Sequence, residues 1–276
     1  MAGMVVLAIL LVLSFVVISA RSQNRLEVES STALAETALA VKKREIGRNL
    51  RDYAVWEDAY RNLHLKLDYE WASTDGNVGA NIYEGLGYDM AFVVRPNGDT
   101  VYQVINGVPK NGEASDLIPE GLARLVHAGV ALQEPVVSLL RSKHGVALIA
   151  ATAILPPSLD ASQIPVDSRS ALVFAKTLDD NFVEHIGSDY LLNDLAIIAS
   201  PDQTHGAQLP LLGPAEETLA YITWRPDTPG YQLLQLLLPP LAAAMLALGF
   251  LAHQVIRTPT RLQEARRHGV LQRANR

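Results

Sequence analysis

The sequence predicts an α+β domain carried between two membrane helices. Three observations lead there: an uncharged apolar run near each end, a long helix-forming stretch after the first run, and a succession of strand patterns with few helices among them.

The first run is Met4–Ala20 (MVVLAILLVLSFVVISA), ended by Arg21; the second is Leu233–Ile256, ended by Arg257. A bilayer core takes ~20 mostly apolar helical residues, which both runs supply or nearly supply. Arg257, Arg261, Arg266, Arg267, Arg273 and Arg276 follow the second run, against Glu264 alone. Short arginine-rich flanks stay in the cytoplasm, so the C-terminus is placed there and two spans return the N-terminus to the same side. Segment 21–232 holds 17 Lys and Arg against 28 Asp and Glu, a net of −11. It is expected outside the cytoplasm. The division is then a first span at 1–20, an extracytoplasmic domain at 21–230, a second span at 231–256 and a cytoplasmic juxtamembrane helix or linker at 257–276. A cleaved leader ending at Ile18-Ser19-Ala20 competes with an uncleaved anchor. The length of the run and the absence of a basic segment before it favour the anchor.

Within the domain, Ser22 to about Tyr69 reads as one long helix, free of Pro and rich in Ala, Leu, Glu, Lys and Arg. Leu39, Ile46, Tyr53, Tyr60 and Leu67 recur every seven residues, which suits core packing or a dimer seam. Met90–Arg95 and Thr100–Ile105 flank Asn97-Gly98, the signature of a hairpin. Leu122, Leu125, Val126 and Val130 place a short helix in Glu120–Gln133. Gly145–Leu155 is a continuous apolar run and reads as a buried strand; Ser170–Lys176 is a second, followed by a short helix over Asp179–Ile186. Residues 201–216 read as loop. Thr218–Trp224 is the last strand and leads into the second span, which Pro239-Pro240 should kink. Consecutive strands with segregated helices make an antiparallel sheet.

The chain has no cysteine, which excludes disulfides, thiolate metal sites and a cysteine nucleophile. No phosphate-binding, zinc-protease or nucleophile-elbow motif occurs, and the seven histidines are scattered. No cofactor, no metal and no enzymatic activity are therefore expected within the chain. The acidity of segment 21–232 argues against nucleic acid as a partner.

The densest group of informative side chains is Asp52–Tyr60, DYAVWEDAY. At about 100° per residue on a helix, Tyr53, Glu57, Tyr60 and His64 share a face and Trp56 flanks it, while Asp58 falls nearly opposite. One reading packs the aromatics beneath the sheet and pairs the acids with Arg51 and Arg61. The other makes Tyr53, Trp56, Glu57, Asp58 and Tyr60 the rim of a small-molecule pocket, since such pockets combine apolar walls with a few fixed polar groups.

This string, close behind an apolar run, resembles the signature of the fourth class of CHASE domains (cyclase/histidine-kinase-associated sensory extracellular). That family shows an Asp, an Ala, then Trp-Asp-Asp and an aromatic. Asp52, Ala54, Trp56, Asp58 and Tyr60 match, and Glu57 replaces the first Asp of the pair. Leu86-Gly87-Tyr88-Asp89, Glu134-Pro135-Val136-Val137 and Trp224-Arg225-Pro226 agree with its downstream layout. The resemblance implies a Cache-related periplasmic domain held in a bacterial inner membrane, with a PAS-like sheet behind a long helix. It also implies that the domain senses a small molecule and controls a cytoplasmic output, and the seven-residue stripe suits a homodimer. That output is most often a cyclic di-GMP cyclase or phosphodiesterase (GGDEF/EAL), otherwise a histidine kinase. No output signature occurs in the chain. A periplasmic protein-interaction module is the alternative reading.

Overall fold

The computed structural model describes residues 2–201 and 206–273. The chain divides into a larger unit, Ser31–Pro226, and a smaller one formed by the residues on either side of it.

In the larger unit, the helix α1 (Ala2–Ala54, begun in the smaller unit) is followed by α2 (Glu57–Ala59), π-helical turns at Tyr60–Leu65 and Glu70–Thr74, and α3 (Ala80–Glu84). Then come strands β1 (Met90–Val94), β2 (Thr100–Ile105) and β3 (Val108–Pro109), and helices α4 (Ala114–Leu117) and α5 (Leu122–Leu132). Next are β4 (Val136–Ser142), β5 (Gly145–Ala153), 3-10 turns at Ala161–Gln163 and Val166–Ser168, β6 (Ala171–Thr177) and α6 (Asp180–Tyr190). The unit ends with β7 (Ala196–Ile198), β8 (Ala207–Leu212) and β9 (Thr218–Trp224).

The main sheet is antiparallel, in the order β3-β2-β1-β6-β5-β4. The hairpin signal is borne out: Met90 pairs with Ile105 and Val94 with Thr100. Both faces of the sheet are covered, so β1 and β5 are buried almost continuously, which is why their sequences run apolar rather than alternating. Alternate residues still go to opposite cores. Ala91, Val93, Leu148, Leu172 and Phe174 join Ile46 and Leu50 of α1 in one cluster. Phe92, Val94, Ile149 and Val173 join Ile118 of α4's end and Leu122, Leu125 and Val130 of α5 in the other. The α+β class, the long first helix, both short helices and the strands at 145–153, 171–177 and 218–224 agree with the sequence reading.

Two expectations are corrected, and one strand was not anticipated. The long helix ends at Ala54, not near Tyr69. Trp56 is extended (φ −144°, ψ 133°), and the Leu155 N–H donates to the Ala54 carbonyl at 3.1 Å. A tertiary hydrogen bond thus takes an acceptor that would otherwise continue the helix, and it overrides good local propensity. Residues 201–216 are not all loop, because β8 lies within them and pairs with β9 in a second, three-stranded sheet, β7-β9-β8. Pro210 hid it, and is tolerated because β8 is an edge strand. Val136–Ser142 has no clean alternation in sequence, yet it forms the other edge of the main sheet.

The smaller unit pairs the start of α1 with α7 (Pro229–Arg273). Ala20 is fully buried, the Gly230 N–H donates to Asn24 Oδ1 at 2.8 Å, and any Cβ at Gly230 would collide with the Ala20 carbonyl. Only glycine permits that approach. The helix is continuous through Pro239 and Pro240. Among the described residues one segment, Pro229–Leu251, is long and apolar enough to cross a membrane: 23 residues, mean hydropathy 2.0, none of it buried. In the first run the side chains of residues 4–6 and 9 lie outside the described residues, as do those of the arginines from Arg257 onward.

Candidate functional site

A cavity of about 680 Å³ lies on the α5 side of the main sheet, away from α1. Its first wall is the tip of the β1–β2 hairpin. There the Arg95 N–H donates to the Asp99 carbonyl at 2.8 Å, and Gly98, at φ 94°, makes a turn that a side chain would strain. The second wall is α4, fixed to β2 by its own N-terminus. Glu113 accepts the Thr100 N–H at 2.9 Å, and the Ala114 N–H donates to Thr100 Oγ1 at 2.9 Å. The third is α5, whose Leu122, Val126 and Val130 recur every four residues and line the cavity as an apolar stripe. Gly129 sets its depth: a Cβ there would meet the Ala151 carbonyl of β5, so α5 lies directly on the sheet backbone.

The fourth wall is the 3-10 turn Val166–Ser168 with Arg169 behind it. Arg169 is only 3 % exposed. Its Nε donates to the Ile164 carbonyl at 3.0 Å, Nη2 to Ile164 and Ala161 at 2.6 Å each, and Nη1 to Val130 at 3.3 Å. The Val130 carbonyl belongs to the last turn of α5, where partial negative charge favours a cation. Arg95 and Arg124 line the same cavity. An apolar chamber with three guanidiniums on its wall can hold and orient a small molecule; it has no nucleophile paired with a base.

None of the residues expected from sequence to form a ligand rim lines this cavity. The structure does bring them together, at the break after α1. The Tyr53 ring meets Phe174 edge-on at 5.6 Å, and its hydroxyl accepts from Asn81 Nδ2 at 3.1 Å. Trp56 lies on Trp71, with ring centroids 5.1 Å apart. Glu57 accepts from Ser158 Oγ at 2.7 Å and pairs with Arg61 at 3.5 Å, while Asp58 is half-buried at the start of α2. The Tyr60 ring stacks at 4.7 Å on His64. The single helical face assumed for these residues does not exist, because Trp56 interrupts the helix between them.

One residue joins this cluster to the cavity. His64 Nδ1 accepts the Ser170 N–H at 3.3 Å and lies 3.0 Å from Ser170 Oγ, while the His64 carbonyl accepts from Arg95 Nη1. The acceptor role of Nδ1 puts the ring proton on Nε2. Burial, and then the nearby Arg95 charge, hold the His64 pKa below its usual value.

The Leu86-Gly87-Tyr88-Asp89 string is structural. Tyr88 lies on Phe174 at 5.5 Å and accepts from Asn49, and burial pushes its pKa up to about 12. Asp89 accepts from Lys176 at 2.9 Å and from the Thr177 N–H at 2.7 Å. A second cavity of about 240 Å³ lies between α1 and α6. Among the described residues no three His, Cys, Asp or Glu side chains gather as metal ligands, and His205 lies outside them. Sequence reasoning missed Arg95, Arg124 and Arg169 as residues of a site. The only local signal for Arg169 was a cation immediately before a buried strand.

The CHASE4 domain family matches residues 38–198, from the middle of α1 to the end of β7. Among solved structures, the chain is similar to the LuxQ periplasmic domain of Vibrio cholerae, at 12 % identity over 75 % of this chain and 99 % of that one, with a TM-score of 0.42. It is also similar to the ligand-binding domain of the Campylobacter jejuni chemoreceptor Tlp3 in complex with L-norvaline, at 9 % identity over 67 % of each chain and a TM-score of 0.41. The Tlp3 sensory domain with isoleucine bound matches at 10 % identity, over 67 % of this chain and 70 % of that one, with a TM-score of 0.42. No curated protein matches the chain. A family match over more than half of the sequence, carried on the helix, break and sheet described above, makes this chain a member of the CHASE4 domain family of sensory domains.

Proposed function

We propose that the chain is the ligand-sensing input module of a bacterial membrane signalling protein, with the 680 Å³ cavity as its ligand pocket. The observation that carries this reading is the cavity itself: an apolar stripe on α5, closed by a hairpin tip and a 3-10 turn, with fixed polar groups on its wall. In this reading Met4–Ala20 and Leu233–Ile256 are both spans, the domain between them is periplasmic, and both termini are cytoplasmic. The protein is a homodimer, and its output is a cyclic di-GMP cyclase or phosphodiesterase on the cytoplasmic side.

The cluster Tyr53, Trp56, Glu57, Asp58 and Tyr60 then serves as the junction that feels the pocket, with His64 as the link. A ligand that draws on Arg95 competes with its bond to the His64 carbonyl. Displacement there acts on the π-helical turn Tyr60–Leu65 and, through the break, on the end of α1. Signalling requires that the ligand bind the two arrangements of this junction unequally.

The absence of cysteine allows single cysteines to be placed along α1 in an otherwise thiol-free chain. The test is disulfide crosslinking of the full-length chain in membranes, with and without a ligand found by thermal shift. Crosslinking should change in register on ligand addition in wild type, and the change should vanish in Ala123→Trp, which fills the exposed mouth of the cavity. Trp56→Ala should retain binding and lose the register change. Identical crosslinking with and without bound ligand would sink the transmission scheme, and loss of binding in Trp56→Ala would return the pocket to the signature cluster.

A further inference from the structure

Taking the cavity as the ligand pocket, we propose that its ligand is a small organic carboxylate with an apolar body, gripped at its anionic end by Arg169, Arg95 and Arg124. The inference rests on that pocket reading and adds the chemical class.

Two sets of cations in the domain are set apart by their surroundings. Arg25, Arg51, Arg61, Arg225, Lys42 and Lys176 each stand in ion-pair contact with an acid. Arg95, Arg124 and Arg169 line one cavity, and among the described residues none of them pairs with a carboxylate. The surrounding segment 21–232 carries a net charge of −11, so three unpaired guanidiniums at one place are not a by-product of a basic protein. Asp167 is the one acid on the cavity wall.

Arg169 is the most telling of the three. Burial of a cation is costly unless an anion or hydrogen bonds answer it. The carbonyls of Ile164, Ala161 and Val130 take four of its five N–H groups and fix the plane of the guanidinium. They orient the fork, but they bring no full negative charge. One Nη1 hydrogen is left over. Arg95 spends its one side-chain bond on a carbonyl as well, that of His64. A carboxylate entering the cavity would supply the missing charge and accept a charge-assisted hydrogen bond from a preoriented donor, roughly twice as strong as a neutral one. Leu122, Val126 and Val130 form the opposite requirement, a wall for an apolar body. A free inorganic anion would leave that wall unmatched.

The test is calorimetric titration of the full-length chain in nanodiscs at constant ionic strength. The probes are pentanoate, phenylacetate and 4-hydroxybenzoate, each beside its primary amide and the corresponding amine. Carboxylates should bind saturably and their amides should bind at least about tenfold more weakly, the cost of losing a charge-assisted hydrogen bond. Arg124→Glu, at an exposed position, and Arg95→Gln should each weaken carboxylate binding by a similar factor. Arg44→Glu, the same charge change on α1, should leave it unaltered. Arg169→Lys is the sharpest variant, and the other two carry the test where its fold is lost. Amides or amines that bind as tightly as carboxylates, and are blocked by Ala123→Trp, would overturn the carboxylate assignment while leaving the pocket standing. A folded protein that binds no member of any class would overturn the pocket reading, and the carboxylate with it.

Discussion

The two faces of the main sheet are filled differently. The face towards α1 is filled by aromatics: Phe174 stands between Tyr53 and Tyr88, and Tyr102 meets Tyr69 at 5.8 Å. The face towards α5 presents Ala147, Ala151, Ala153, Ala171 and Ala175, so a helix can come down to backbone contact at Gly129. The rings interlock on the α1 side, while on the other side α5 settles onto the sheet backbone and its Leu122, Val126 and Val130 line the larger of the two cavities described. The family signature and the cavity occupy different sides of one sheet, with His64 and Ser170 as the stitch between them.

The largest expected effect tests the aromatic face. Phe174→Ala should cost about 3–5 kcal/mol of unfolding free energy, measured by chemical denaturation, because a fully buried ring between two tyrosines is replaced by a void. Ligand binding should survive in the fraction that remains folded. Gly129→Val tests the other face. It should cost about 1–3 kcal/mol by overpacking and should abolish binding, since α5 must lift from the sheet and reshape the cavity. If the two variants exchanged these binding outcomes, the division of labour between the faces would be wrong.

Two pH limbs divide in the same way, with smaller effects. Burial raises Tyr88 and Tyr102 to about 12, from 10.0 in the unfolded chain. Their neutral forms are favoured by the fold, so the stability they contribute is complete below pH 10 and is lost as pH rises towards 12. Tyr88→Phe should flatten that alkaline limb in melting curves recorded across the range. His64 has the opposite sign. Its pKa lies below the unfolded value of 6.5, so its contribution is present above pH 6.5 and is lost as pH falls below it. His64→Gln should remove that part of the acid slope in melting curves. The smallest effect belongs to the exposed Arg51–Glu134 pair, 3.0 Å apart at the rim of the α1 face; Arg51→Ala should change stability by about 1 kcal/mol or less.

Much of the fold was legible because its signals are local. Asn97-Gly98 between two apolar segments specifies a hairpin whatever lies around it, and the stripe Leu122, Val126, Val130 specifies a helix with one buried face. The signature DYAVWEDAY was legible as a family mark and misleading as geometry. A helix carried past Ala54 would have put its residues on one face, and the break at Trp56 turns them onto the core. Pro210 concealed β8 for a related reason, since a strand's tolerance of proline depends on whether it lies at an edge, and the pairing decides that.

The sequence by itself determined the α+β class, the placement of the hairpin, the buried strands and short helices, the candidate span before the C-terminal tail, and the family. Periodicity, turn chemistry and composition act within a few residues and can be read there. Only the tertiary structure decided where α1 stops, that a second sheet exists, and that Arg95, Arg124 and Arg169 surround one chamber. Each of those depends on groups far apart in the chain. The Leu155 N–H reaches back to Ala54, β8 pairs with β9, and a residue before β6 is drawn to the last turn of α5. Whether a buried cation has an acid beside it is settled by such distant contacts, which is why the charge of the cavity emerges only when the chain is folded.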